Sequence, residues 1–116
     1  MANLPDWLVA CFRIALLGEI YCNVWAIAVG FDDRNKVLIR YYLDREPTDF
    51  DLESIEIVAV NFDALRGGQE VKEVAVQCVY SAVRMNELDP LSGFIFARRE
   101  YGMNVIRLPN SNVTSE

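Results

Sequence analysis

Apolar residues recur along this chain with two different periods. Trp7, Leu8, Cys11, Ile14, Ala15 and Gly18 fall at helical spacing, which predicts a first helix opened by Pro5-Asp6 and stopped at Gly18. Arg13 falls on its wet side. Tyr21–Phe31 is almost wholly apolar and rich in β-formers, as expected of an inner strand. Strict alternation would put Trp25, Ile27, Val29 and Phe31 on one face. The other face would carry the small set Val24, Ala26, Ala28 and Gly30, which a second backbone could approach closely. Asp32–Asn35 is a turn cluster, and Lys36–Asp44 reads as the return strand of a hairpin. Val37, Ile39, Tyr41 and Leu43 line one of its faces, and Leu38, Arg40, Tyr42 and Asp44 the other.

Helical periodicity then resumes. Thr48 is a candidate N-cap with Asp51 three residues on. Leu52, Ile55, Val58, Ala59, Phe62 and Leu65 define the expected buried stripe, and Gly67-Gly68 ends the helix. Glu70–Ser81 alternates as a third strand, residues 86–93 hold turn formers, and Phe94–Tyr101 reads as a fourth strand. Residues 102–116 drift polar and are expected to fray in part, over Asn110–Glu116. The order α-β-β-α-β-β predicts one α+β domain over residues 1–116: an antiparallel four-stranded sheet of two hairpins, with two helices on one face.

Composition narrows the function. No apolar run reaches the ~18 residues of a membrane span, and Arg13 and Glu19 interrupt the nearest candidate. That stretch also lacks the basic start and cleavage site of a signal peptide. Histidine is absent, which removes the commonest general base and metal ligand. Cys11, Cys22 and Cys78 match no metal spacing and read as free buried thiols in a reducing cytoplasm. No phosphate loop, nucleophile elbow or CxxC occurs, so neither an enzyme nor a cofactor is expected.

Charge carries the clearest signal. The chain holds 17 acids and 11 bases, and residues 44–56 alone hold six acids and one Arg. Almost all the net charge of −6 is therefore local. Such a field steers and orients a cationic protein and repels nucleic acid. Helix capping accounts for Asp49, Asp51 and in part Glu53, but less well for Asp44, Glu46 and the outward Glu56. Asp49-x-Asp51-x-Glu53 also matches the opening of a calcium loop, but Ser54 stands where the loop's Gly belongs. The candidate partner-binding residues are Asp44, Glu46, Asp49, Asp51, Glu53, Glu56 and Tyr42. Tyr42 joins them because it neighbours Tyr41 on a strand, so one of the two should face solvent or a partner. Arg98 and Arg99 point to opposite faces of the last strand, where a solvated edge is the plainer expectation and an ion pair with an acid on the sheet the other.

The runs Ala15-Leu16-Leu17-Gly18-Glu19, Val24–Phe31, Val37–Leu43 with Asp44-Arg45-Glu46-Pro47-Thr48, and Phe96–Glu100 together carry a resemblance. Across residues 12–100 the pattern resembles small bacterial immunity proteins of contact-dependent growth inhibition and related toxin systems. The resemblance implies a cytoplasmic protein that binds and neutralises one cognate toxin domain, usually a nuclease. It carries no residue-level functional motif. The acidic stretch fits such a role, since a nuclease needs a cationic cleft. Two other readings stand beside it: a non-toxin interaction module or homodimer, and a carboxylate-dependent enzyme or cation binder.

Overall fold

A computed structural model describes residues 4–98. Helix α1 spans Asp6–Ala15, strands β1 and β2 span Val24–Phe31 and Lys36–Leu43, and helix α2 spans Asp49–Leu65. Strand β3 follows at Glu73–Tyr80, then a single 3-10 turn at Met85–Glu87 and strand β4 at Gly93–Ala97. The six expected elements occur in the expected order, most with trimmed ends. The expected end of the fourth strand at residues 99–101 and the expected tail at 102–116 lie outside the described residues.

Local chemistry explains the boundaries. Pro5 sits in extended backbone ahead of α1, and its carbonyl accepts the Leu8 and Val9 N–H groups at 3.1 Å. After α1 the chain reverses through Gly18, whose φ of 78° suits a residue without a Cβ. The β1–β2 turn is held by the Asp32 carboxylate, which accepts the Arg34 and Lys36 N–H groups at 2.9 Å. Those hydrogen bonds, the one from Lys36 foremost, hold the Asp32 carboxyl below its usual range.

The sheet order is β3-β2-β1-β4. β1 pairs antiparallel with both β2 and β4, but β2 pairs parallel with β3. The sheet is therefore mixed, which corrects the expected antiparallel sheet of two hairpins. The reason is the length of α2. Its 17 residues span about 25 Å at 1.5 Å per residue. That matches the roughly 26 Å of an eight-residue strand. The helix thus returns the chain to the starting end of β2, and β3 runs alongside in the same direction. β3 and β4 occupy opposite edges because residues 81–92 cross the back of the sheet between them.

Two cores result. On the front, Leu8 and Phe12 of α1 and Ile55, Val58 and Phe62 of α2 pack on Ile27, Val29, Ile39, Tyr41 and Leu43. Phe12 and Phe62 stack with centroids 4.4 Å apart. On the back, Leu88 closes over Trp25, Ala26, Ala28 and Tyr42, with Leu91 and Phe94 alongside. The small residues of β1 do receive a second backbone, and it belongs to the 81–92 crossing. A bulge between Val24 and Ala26 breaks the alternation. It sends Val24 to the front and Trp25 to the back, reversing the expected faces of both. The Trp25 indole donates to the Ser81 carbonyl at 3.1 Å.

The buried stripe of α2 also differs from expectation. Ile55, Val58 and Phe62 are buried, but Leu52 and Leu65 are exposed, and Asp51 and Ser54 lie inside instead. Hydrogen bonds to Asp51 fix the helix's rotation, and the exposed side inherits the surplus apolar residues.

Candidate functional site

The acidic stretch divides into an inner part and an outer part. Asp51 is fully buried. Its carboxylate accepts the Thr48 backbone N–H at 2.7 Å and the Thr48 hydroxyl at 3.0 Å, closing the helix start. It also accepts the Tyr21 hydroxyl at 2.5 Å and the Arg45 guanidinium at 2.5 and 3.2 Å. Burial opposes its ionisation, but the bonds from Arg45, Tyr21 and Thr48 outweigh that and hold its carboxyl well below the usual range. Burial and the Asp51 charge push Tyr21 the other way, well above an ordinary phenol. Arg45 stays firmly cationic beside Asp51. Burial also pushes the Cys78 thiol up to about 11. Tyr41 lies on the same inner side, buried and pushed up to about 12. Burial dominates that shift and Ser54 acts against it, and among the described residues the Tyr41 hydroxyl has no hydrogen-bond partner.

Two further predicted residues are also engaged within the fold. Asp44 is exposed but ion-paired with Arg98 at 3.1 Å, and it accepts from the Asn23 amide at 3.0 Å. The Asn23 bond first, and Arg98 with it, hold the Asp44 carboxyl below its usual range. Arg98 is thus ion-paired rather than on a purely solvated edge, and Arg99 lies outside the described residues. Tyr42 is buried beneath the 81–92 crossing and donates to the Asp89 carbonyl at 2.9 Å. Both tyrosines of the Tyr41-Tyr42 pair are therefore inside, which corrects the expectation that one would face outward. The crossing covers the second face.

The outer part holds Glu46, Asp49, Glu53 and Glu56, all exposed. Asp49 and Glu53 stand on a helix and Asp51 points away from them, so the three do not form a coordination loop. Around Glu53 and Glu56 lies apolar surface that sequence reasoning missed. Phe50 is 58% exposed, Ile57 49% and Val60 68%. The adjoining turn after α1 adds Leu17 at 73%, and Ile14 and Ile20 are exposed beside it. One groove joins Glu53, Glu56, Ile57 and Val60 to Asn61, whose amide donates to the Ala15 carbonyl at 3.3 Å and ties α2 to α1. A signal for this surface is present in the sequence. α2 carries Phe50, Ile57 and Val60 outside its buried stripe, and a helix apolar on every side needs a cover.

The thiols are free. Cys11 and Cys78 are half-buried, while Cys22 is exposed, which corrects its expected burial. Among the described residues no helix is long and apolar enough to cross a membrane.

No curated protein matches the chain at a significant level. A family model does. The model of the MafI2 immunity protein family matches residues 5–100, which cover α1 through β4 and the whole acidic–apolar surface. The chain belongs to the MafI2 immunity protein family.

Proposed function

We propose that this protein binds and neutralises a toxin domain through the outer face of α2 and the turn that follows α1. The observation that carries the reading is the mixture on that face. Exposed Phe50, Ile57 and Val60 stand among Asp49, Glu53 and Glu56, on a helix whose other side is already packed. Apolar side chains at the centre of a contact supply affinity, and exposed acids around them supply steering and orientation. The acidic border favours a cationic toxin, as a nuclease with a phosphate-binding cleft would be. It equally disfavours nucleic acid as a direct ligand. Inhibition needs no catalytic group on this chain, and the reading gives it none. Contact-dependent growth inhibition, a cytoplasmic site of action and a monomer or weak homodimer as the active species are the finer parts of the same proposal.

The test is co-expression with a candidate toxin domain, sought in the genes beside the one for this chain. The wild-type chain should restore growth, and Val60→Asp should reduce the rescue while leaving the protein folded. Full rescue by a folded Val60→Asp variant would move the contact elsewhere.

The alternative of self-association rests on β3. It is an eight-residue edge strand without Pro, paired only with β2 among the described residues. Light scattering across a concentration series tests it, and a dimer that persists at low micromolar concentration would favour it.

A further inference from the structure

A pocket of about 240 Å³ opens between the turn after α1 and the first two turns of α2. Its walls are Ile20, Tyr21, Phe50 and Ile57, together with Ser54, which is 8% exposed. Glu19, half-buried, and Glu53, exposed, complete its lining. Drug-sized ligands take pockets of roughly 300 Å³ and more. This one is smaller and open, the size for one side chain of a larger partner.

Its chemistry is unusual for a surface dimple. Tyr21 and Phe50 meet edge to face with centroids 5.0 Å apart, which fixes two ring surfaces in the wall. The Tyr21 hydroxyl is committed to Asp51, so this ring is held in place. No ion pair engages Glu19 or Glu53 among the described residues, although Arg45, Arg66 and Arg98 are each paired with an acid. Aromatic and aliphatic walls accept a methylene stem and attract a cation to the ring faces. The two carboxylates in the lining can then receive the charged head. An apolar occupant would bury its own surface but leave both carboxylates desolvated and unpaired.

We infer that this pocket receives an arginine or lysine side chain of the toxin, and that Glu19 and Glu53 hold its charged group. The inference rests on the outer-face reading above and adds an anchor to it. Charge in the pocket, rather than the acidic field as a whole, then sets the affinity.

The test compares two double variants that remove the same charge: Glu19→Gln with Glu53→Gln in the pocket, and Glu46→Gln with Glu56→Gln outside it. Each full-length variant is titrated at low and high salt with the toxin domain whose growth inhibition the wild-type chain relieves, after circular dichroism confirms the fold. The pocket pair should weaken binding at least tenfold and flatten its salt dependence, and the outer pair should weaken it less than threefold. Equal losses from both pairs would overturn the anchor and leave the outer face standing. Loss from neither pair would overturn it too. If Val60→Asp also left affinity intact, the outer-face reading itself would fall, so the two failures are distinguishable.

Discussion

Asp51 and Glu53 stand two residues apart in the same acidic run, yet they do opposite things. Asp51 is sealed inside and accepts hydrogen bonds from Tyr21, Arg45 and Thr48. Glu53 stands in water, with no ion pair among the described residues. A half-turn of helix separates a group that organises the fold from one free to meet a partner. The lesson concerns local net charge. Six acids in thirteen residues look like one negative surface. Of these, Asp51 is spent on the start of α2 and Asp44 on Arg98, which leaves a smaller and more apolar surface. That surface is better suited to binding than a purely acidic one, because charge alone speeds encounter but holds weakly.

The contrast can be broken from either side. The largest effect should come from Asp51→Ala. It strands Arg45, Tyr21 and Thr48, and breaking a buried pair of this kind costs about 3 kcal/mol. Urea unfolding should show that loss. Next comes Val60→Asp, which should weaken toxin binding by about tenfold, or about 1.4 kcal/mol. Its stability should stay within about 0.5 kcal/mol of the wild type, since Val60 is exposed.

The acid limb of stability sharpens the same point. The Asp51 carboxyl is depressed in the folded state, so its contribution is present above the unfolded value of about 4 and is lost as pH falls below it. Urea midpoints should therefore drop below about pH 4 in the wild type. Asp51→Asn should be less stable at neutral pH and show a shallower drop. The smallest effect should be that of Arg98→Ala. Its pair with Asp44 is partly exposed, and such pairs contribute about 1 kcal/mol or less.

Much of the fold is legible in the sequence, because period and punctuation are local. Gly18, Asp32–Asn35, Thr48 and Gly67 mark the ends of elements close to where they fall. Strand partners are not local. Nothing in Glu73–Tyr80 says that it lies parallel to β2; that follows from the reach of α2 against the length of a strand. The bulge that turns Trp25 to the back is equally silent, since it depends on pairing across to Leu43. For the site, Glu53 and Glu56 are visible as outward acids. The burial of Asp51 is not, because Tyr21 and Arg45 come from other parts of the chain. The burial of Tyr42 is hidden for a similar reason, as its cover arrives from residues 81–92.

The measurement that bears most directly on the division between the two acids is toxin affinity of the Glu53→Lys, Glu56→Lys double variant at low and physiological salt. Binding should weaken at least tenfold with an association rate that no longer falls as salt rises, while urea unfolding stays within about 0.5 kcal/mol of the wild type. Unchanged affinity and salt dependence in a folded variant would contradict the assignment of the outer face of α2 to the toxin.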